Sequence, residues 1–290
     1  RFRAGLRGED VTLANEPLAT LGDALALCRA SWSASEASDG KFDVGAYEHE
    51  TIVLNEVDAQ GQRRREEFFA ADRLGDAIAR LYERYAEILP DGPARARAVA
   101  TARSVATLVG PAARWASAFA PSIEWADPRT VGLGSVHGAE AVVRGIRALV
   151  ELTEDFAVRF DDILGLRSDT LLVRWTNFGT VRAGGGAFER QLLELWVFGP
   201  DGLLTRWEQR DVERDAEALA RFDALTEPQP TRPAASMRRV RPNAATAHAE
   251  RTVAAFWARD ADAYGTLLAA DAETVHHPTG TTLNRQGALA

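Results

Sequence analysis

Two hydrophobic periods alternate along this chain. From residue 94 to 109, apolar positions such as Ala98, Ala102, Val105 and Val109 recur every three to four residues, which predicts a helix; a second helix is predicted over 112–120. Residues 123–127 read as a short strand. After a loop holding Gly132 and Gly134, the helical period returns over 138–153, where Val142, Val143, Ile146, Leu149 and Val150 form one apolar stripe. The period then drops to two. Four strands are predicted, at residues 156–166, 170–180, 188–198 and 203–212. Ser168-Asp169, Gly184-Gly185-Gly186 and Gly199-Pro200-Asp201-Gly202 join them, and connections this short make antiparallel hairpins. A last helix over 214–225 carries Glu217 and Arg221 one turn apart. Two helices, a strand, a helix and a four-stranded meander predict an α+β fold, a curved antiparallel sheet packed on helices.

The pattern repeats. Moving Gly45-Ala-Tyr-Glu48 onto Gly186-Ala-Phe-Glu189, an offset of 141, also places Gly61 on Gly202, Arg65 and Glu67 on Arg206 and Glu208, and Arg73 on Arg214. Upstream, Gly22-Asp-Ala-Leu25 falls on Ser168-Asp-Thr-Leu171 at an offset of 146, as though the first copy held a longer loop before Gly45. Trp115 to Asp127 resembles Tyr264 to His277 at an offset of 149 to 150. Breakers divide the chain: Pro90-Asp-Gly-Pro93 lies between the first copies, and Pro228, Pro230, Pro233 and Pro242 make 228–243 a proline-rich linker. The expected organisation is a tandem repeat: 1–89 the C-terminal part of a first unit, 94–227 a complete unit, and 244–290 the N-terminal part of a third. The truncated first and third parts would each expose apolar surface unless they complement each other. With Arg1 as first residue and Met237 as the sole methionine, the chain is expected to be a piece of a longer multidomain protein.

Composition narrows the function classes. At 46% hydrophobic and 26% charged residues the chain is an ordinary globular one, without an apolar run of the roughly 20 residues needed to span a membrane. A net charge of −8 argues against nucleic acid as a partner. Cys28 is alone, which excludes an intrachain disulfide and a multi-cysteine metal site and fits a reducing, cytoplasmic location. The adjacent His276 and His277, on a predicted strand, would point to opposite faces, so no metal site is expected there. Gly132-Leu-Gly134-Ser-Val-His137-Gly138 has His137 where a dinucleotide fingerprint needs its third glycine, and hairpins follow it, so no cofactor is expected.

The order of elements, the unit length, the ending Phe188-Glu189 … Gly202-Leu-Leu-Thr-Arg-Trp-Glu208-Gln-Arg-Asp211 and the later Trp257-Ala-Arg-Asp-Ala-Asp262-Ala-Tyr resemble the SnoaL-like branch of the nuclear-transport-factor-two-like superfamily. The resemblance implies cone-shaped units with a pocket at the open end. It implies functions ranging from polyketide cyclase, ketosteroid isomerase and limonene-type epoxide hydrolase to noncatalytic binding or assembly, and tandem copies resemble parts of large bacterial regulatory proteins. Under that resemblance Glu208 matches the acid of the epoxide hydrolase branch. The Arg-x-Asp pair expected beside it is replaced by Trp175 and Asn177, and in the first copy Arg29, Ser31 and Glu67 stand at the matching positions.

Two readings follow. One is a noncatalytic small-molecule-binding or assembly module, whose partners are a small apolar molecule or further SnoaL-like copies paired through sheet faces. The other is a cofactor-independent isomerase, cyclase or hydrolase, with Glu208, Asn177 and Asp127 as catalytic candidates. Expected pocket residues are Trp175, Trp115, His137, Glu189, Trp196 and Arg206. Alternation puts Leu171, Val173, Trp175 and Asn177 on one strand face, and that face should line the cone. The pair Arg206-x-Glu208 also has a plainer reading, a salt bridge between neighbours on one strand face.

Overall fold

The computed structural model describes residues 10–35, 37–38, 43–44, 46–129, 134–225 and 238–289. It divides into two compact units: the described residues up to Arg73 together with those from Arg241 form one, and Leu74–Val240 forms the other. The proline-rich residues 228–237 lie outside the described residues, as do Gly45 and Gly132.

The first unit opens with β1 (Thr12–Leu21) and β2 (Leu25–Ala34), turned back to back at Gly22, followed by a two-residue ribbon, β3 (Ala37–Ser38) with β4 (Asp43–Val44). β5 (Tyr47–Val57) and β6 (Arg63–Ala70) form the next hairpin. Its turn is held by the Asp58 carboxylate, which accepts from the backbone of Gln60 and Gln62 at 3.0 and 2.8 Å.

The second unit runs α1 (Leu74–Ile88), α2 (Pro93–Val109), a 3-10 turn (Ala112–Ala118), β7 (Phe119–Asp127), β8 (Gly134–His137), α3 (Ala139–Glu151), β9 (Ala157–Leu166), β10 (Thr170–Thr180), β11 (Ala187–Phe198), β12 (Leu204–Asp211) and α4 (Asp215–Leu225). These bounds follow the hydrophobic pattern closely. Two details differ. The residues expected as a helix over 112–120 make a 3-10 turn and the first residues of β7, and β8 arises within the expected glycine loop because its backbone pairs with β7. The turn into β12 needs glycine: Gly202 has φ +75°, and a Cβ there would stand 2.5 Å from the backbone of Ala100 and Thr101 on α2.

The chain then returns to the first unit with α5 (Ala244–Trp257), α6 (Ala261–Thr266), β13 (Leu268–His276), β14 (Thr281–Asn284) and α7 (Arg285–Leu289). Asn243 caps α5, and its Nδ2 donates to the carbonyls of Gly22 and Leu25 at 3.0 and 2.9 Å. β13 lies parallel to β6, so the strand order is β1-β2-β5-β6-β13-β14. In the second unit it is β9-β10-β11-β12-β7-β8.

The two sheets have one topology with the chain order permuted. Arg63 faces Leu268 and Glu67 faces Val275, where Leu204 faces Phe119 and Glu208 faces Ala126; each step keeps offsets of 141 and 149, and an irregularity falls at the same place in both ladders. The segments expected to be the end of one unit and the start of another thus share one sheet. The expected boundary between residues 89 and 94 is not where the compact units divide. α1 instead packs in the second unit, where Gly75 closes on Phe160 and Val109, and the Tyr82 hydroxyl donates to the Arg167 carbonyl at 2.7 Å.

One register needs correction. Ala26 pairs with Asn55 and Leu171 with Trp196, so β2 maps onto β10 at an offset of 145, not 146. Trp175 and Asn177 therefore correspond to Ala30 and Trp32, whereas the sequence alignment selected Arg29 and Ser31. Backbone ladders set strand register, and a slip of one residue turns every side chain to the other face.

Candidate functional site

In the second unit, alternation sends Leu171, Val173, Trp175 and Asn177 of β10 to one face of the sheet. The ladder sets Trp196, Glu194, Leu192 and Arg190 of β11 opposite them, then Trp207 and Gln209 of β12 opposite Trp196 and Glu194, and Trp125 of β7 beside Trp207. Four strands thereby contribute indoles to one surface, and Trp115 joins them from the 3-10 turn. Trp115 stacks on Trp175 with ring centroids 5.8 Å apart, Trp125 stacks on Trp207 at 5.6 Å, and Trp207 meets Trp175 edge-on at 5.9 Å. Burying each large apolar side chain contributes about 1.5–3 kcal/mol, so this aromatic layer is a main part of the unit's core as well as the floor of its cavity.

Above that floor is a cavity of about 570 Å³. Phe156, Phe188 and Leu192 line it, as do Ile146, Leu149 and Leu152. The polar side chains reaching it are few: Asp127, Arg129, Thr153, Asn177, Arg190 and Gln209. Asp127 is 1% exposed and bound by both arms of Arg129, whose Nε and Nη2 donate to Oδ1 and Oδ2 at 2.5 and 2.7 Å. Arg129 Nη2 also donates to Gln209 Oε1 at 3.3 Å. Among the described residues, four buried atoms on lining residues have no hydrogen-bond partner: the indole nitrogens of Trp125 and Trp175, the Asn177 amide oxygen and Arg129 Nη1.

Next to Gln209 in the ladder lies Glu194, fully buried, its Oε2 accepting from Trp207 Nε1 at 2.5 Å. Burial pushes this carboxyl well above the ordinary range, outweighing the hydrogen bonds from Trp207 and Gln209 and the attraction of Arg129. Burial therefore favours the neutral acid form of Glu194.

Glu208 faces the other way. It stands opposite Leu195, on the face that Leu164, Leu172, Leu193 and Leu195 share with Ala218, Leu219 and Phe222 of α4. Its carboxylate accepts from Arg206, Arg210 and Arg221 at 3.2, 2.9 and 2.9 Å. Burial raises its pKa, but the hydrogen bonds and charge of Arg221, then of Arg206 and Arg210, win and hold it below the ordinary carboxylate range. Arg206 also pairs with Glu124. The first unit repeats the arrangement: Arg65 holds Glu67 at 2.7 Å and Glu273 at 2.5 Å, and His277 approaches Glu67 at 2.8 Å while stacking on Phe69. What the two copies share most closely is an ion network beneath the sheet.

The cavity floor is not shared. Where the second unit has Trp115 and Trp207, the first has Tyr264 and Glu66, tied to the buried Arg63 at 3.0 and 2.6 Å.

Of the residues singled out from sequence, Asp127, Asn177, Trp115 and Trp175 meet at the cavity, and Trp196 packs below it. Four do not reach it. Glu208 and Arg206 lie on the opposite face; His137 is exposed on β8, opposite Glu124; Glu189, adjacent to the lining residue Arg190 and of opposite parity, is exposed and pairs with Arg159 at 3.1 Å. Arg129, Arg190, Glu194 and Gln209 are cavity or support residues that the sequence reading passed over. Three of them were accessible to it, because Glu194 and Gln209 share parity with Trp196 and Trp207, and Arg190 with Leu192. Arg129 follows Pro128 in a loop and carries no periodic signal. Among the described residues, no three His, Cys, Asp or Glu side chains gather closely enough to hold a metal ion, and no helix is long and apolar enough to cross a membrane.

The family model for the SnoaL-like domain matches residues 96–207. No curated protein matches the chain. Among solved structures, an NTF2-like protein from Burkholderia thailandensis shares 25% identity, covering 45% of this chain and 98% of its own, with a TM-score of 0.32. A putative SnoaL-like polyketide cyclase from Mesorhizobium loti shares 19% over 39% of this chain and 97% of its own, with a TM-score of 0.33. A Mycobacterium tuberculosis protein, solved in complex with estradiol-17β-hemisuccinate, shares 15% over 42% and 97%, with a TM-score of 0.31. The architecture is the NTF2-like α+β fold, and its two curved sheets fit a tandem arrangement.

Proposed function

We propose that this chain is a noncatalytic small-molecule-binding module within a larger bacterial regulatory protein, and that the cavity of its second unit is the binding site. The observation that carries this reading is the pairing of a roomy, mostly apolar cavity with, among the described residues, a single lining carboxylate, Asp127, that Arg129 already holds in two hydrogen bonds. Both oxygens of that carboxylate are already taken by guanidinium donors. The cavity is of the size that buries a drug-sized molecule. Assembly through this sheet's outer face is less well supported, since α4 covers it.

The isomerase, cyclase or hydrolase reading keeps one observation in its favour: Asp127 and Asn177 line the cavity, and Glu194, whose carboxyl burial pushes up, lies next to Gln209. Its carboxyl, however, is turned to Trp207.

Binding is tested with N-phenyl-1-naphthylamine, a neutral fluorescent ring compound, followed by its own emission and by energy transfer from the indole floor. Saturable binding at one site is expected, and Ala148→Trp, which fills the cavity wall at an exposed position, should abolish it. Equal binding by that variant, or no binding by the parent protein, would sink the reading.

A further inference from the structure

The charges around the cavity do not balance. Among the described residues, three charged side chains line it: Asp127, Arg129 and Arg190. The first two hold each other, and Arg129 Nη1 also pairs with Asp211 at 4.0 Å, beside the cavity. Arg190 stands opposite Asn177 on the ladder, and among the described residues it makes no ion pair and no side-chain hydrogen bond. The surrounding charges are engaged elsewhere. Glu189, its neighbour in sequence, is of opposite parity and pairs with Arg159, and Asp155 accepts from the backbone of Thr180 at 2.6 Å.

We propose, resting on the binding reading above, that the cavity selects molecules carrying one negative charge at the edge of an apolar ring system, with Arg190 as the residue that binds the anion. The residues Asn177 and Trp175 give the scale. They are two positions apart on one strand face, about 7 Å, so a bicyclic ring can lie on the indole floor while its anionic substituent reaches the level of Asn177 and Arg190. A guanidinium offers a planar pair of donors that matches the oxygens of a carboxylate or sulfonate. Because Arg190 is exposed, the anion stays partly hydrated at the mouth, and only the rings need leave water.

Two probes with one ring system separate charge from shape: 1-anilinonaphthalene-8-sulfonate, an anion, and its neutral parent N-phenyl-1-naphthylamine. The anion is expected to bind about tenfold more tightly, with an affinity that falls as salt is raised, while that of the neutral probe does not. In Arg190→Gln the ratio of the two affinities should fall toward one; Arg190→Lys should keep part of it, and Arg144→Gln, which removes the same charge from an exposed site on α3, should keep all of it. Binding of both probes with equal affinity, or an unchanged ratio in Arg190→Gln, overturns this inference and leaves the binding reading standing. Failure of both probes to bind overturns the two together. If Arg190→Gln does not fold, the salt dependence of the parent protein decides: a loss confined to the anionic probe supports the inference, and a parallel response of both probes overturns it.

Discussion

Replacing Glu194 with glutamine should make the stability difference from the parent protein depend on pH, in a direction set by burial. In the folded protein the Glu194 carboxyl is neutral over a range in which the unfolded chain would ionise it. The folded state therefore holds more protons than the unfolded state as pH rises above the ordinary value of 4.5, and the parent loses stability at up to about 1.4 kcal/mol per pH unit until the folded-state pKa is passed. The amide has no proton to lose. It can still accept from Trp207, and its NH2 stands where the neutral acid carries its O–H, so whatever the exchange costs is the same at every pH. The variant's stability relative to the parent should thus rise as pH is raised above 4.5. Urea unfolding at a series of pH values, read by tryptophan fluorescence, measures this; Trp115, Trp125, Trp175, Trp196 and Trp207 all report from the second unit. Groups common to both proteins cancel in the difference. A difference that stays flat with pH, or a penalty that grows with pH, would show that Glu194 is ionised in the native state and that burial does not dominate its environment.

Glu208→Gln should cost about 3 kcal/mol, because it leaves Arg206, Arg210 and Arg221 around an uncharged group, yet probe binding in the cavity should be unaffected; loss of binding in a folded variant would return Glu208 to the site. Asn177→Leu should leave stability nearly intact, since the Asn177 amide oxygen has no partner to lose, and should abolish binding of any ligand that depends on a hydrogen bond there; unchanged binding of a polar ligand would place the pocket elsewhere. Gly202→Ala should destabilise by about 2 kcal/mol or more, through both its positive φ and the approach of α2, and an unchanged urea midpoint would contradict that packing. His248, on α5, is held down to about 3 by burial and by the charges of Arg63 and Arg251, so it should stabilise the first unit fully above pH 6.5 and progressively less as pH falls toward 3; His248→Gln should remove that slope from acid titrations of stability.

Element type and extent were legible because they depend on local period. The strands at 170–180 and the helix over 214–225 stand within a residue of where alternation and three-to-four spacing put them. The offset of 141 was also legible, since one fold written twice leaves the same turn glycines and the same Arg-x-Glu pair. So was the inward set Leu171, Val173, Trp175 and Asn177, because burying the apolar face of a strand fixes its orientation. Three matters depended on the tertiary structure. Whether Glu208 faced the pocket turned on strand parity taken together with where α4 packs, and α4 with its Arg221 lies on the far face. The 145 register of β2 depended on hydrogen bonds to β5, which no turn residue announces. The closure of the first sheet required β6 to find β13 about two hundred residues away, a pairing of backbone groups that any two strands can offer and only the whole packed arrangement selects.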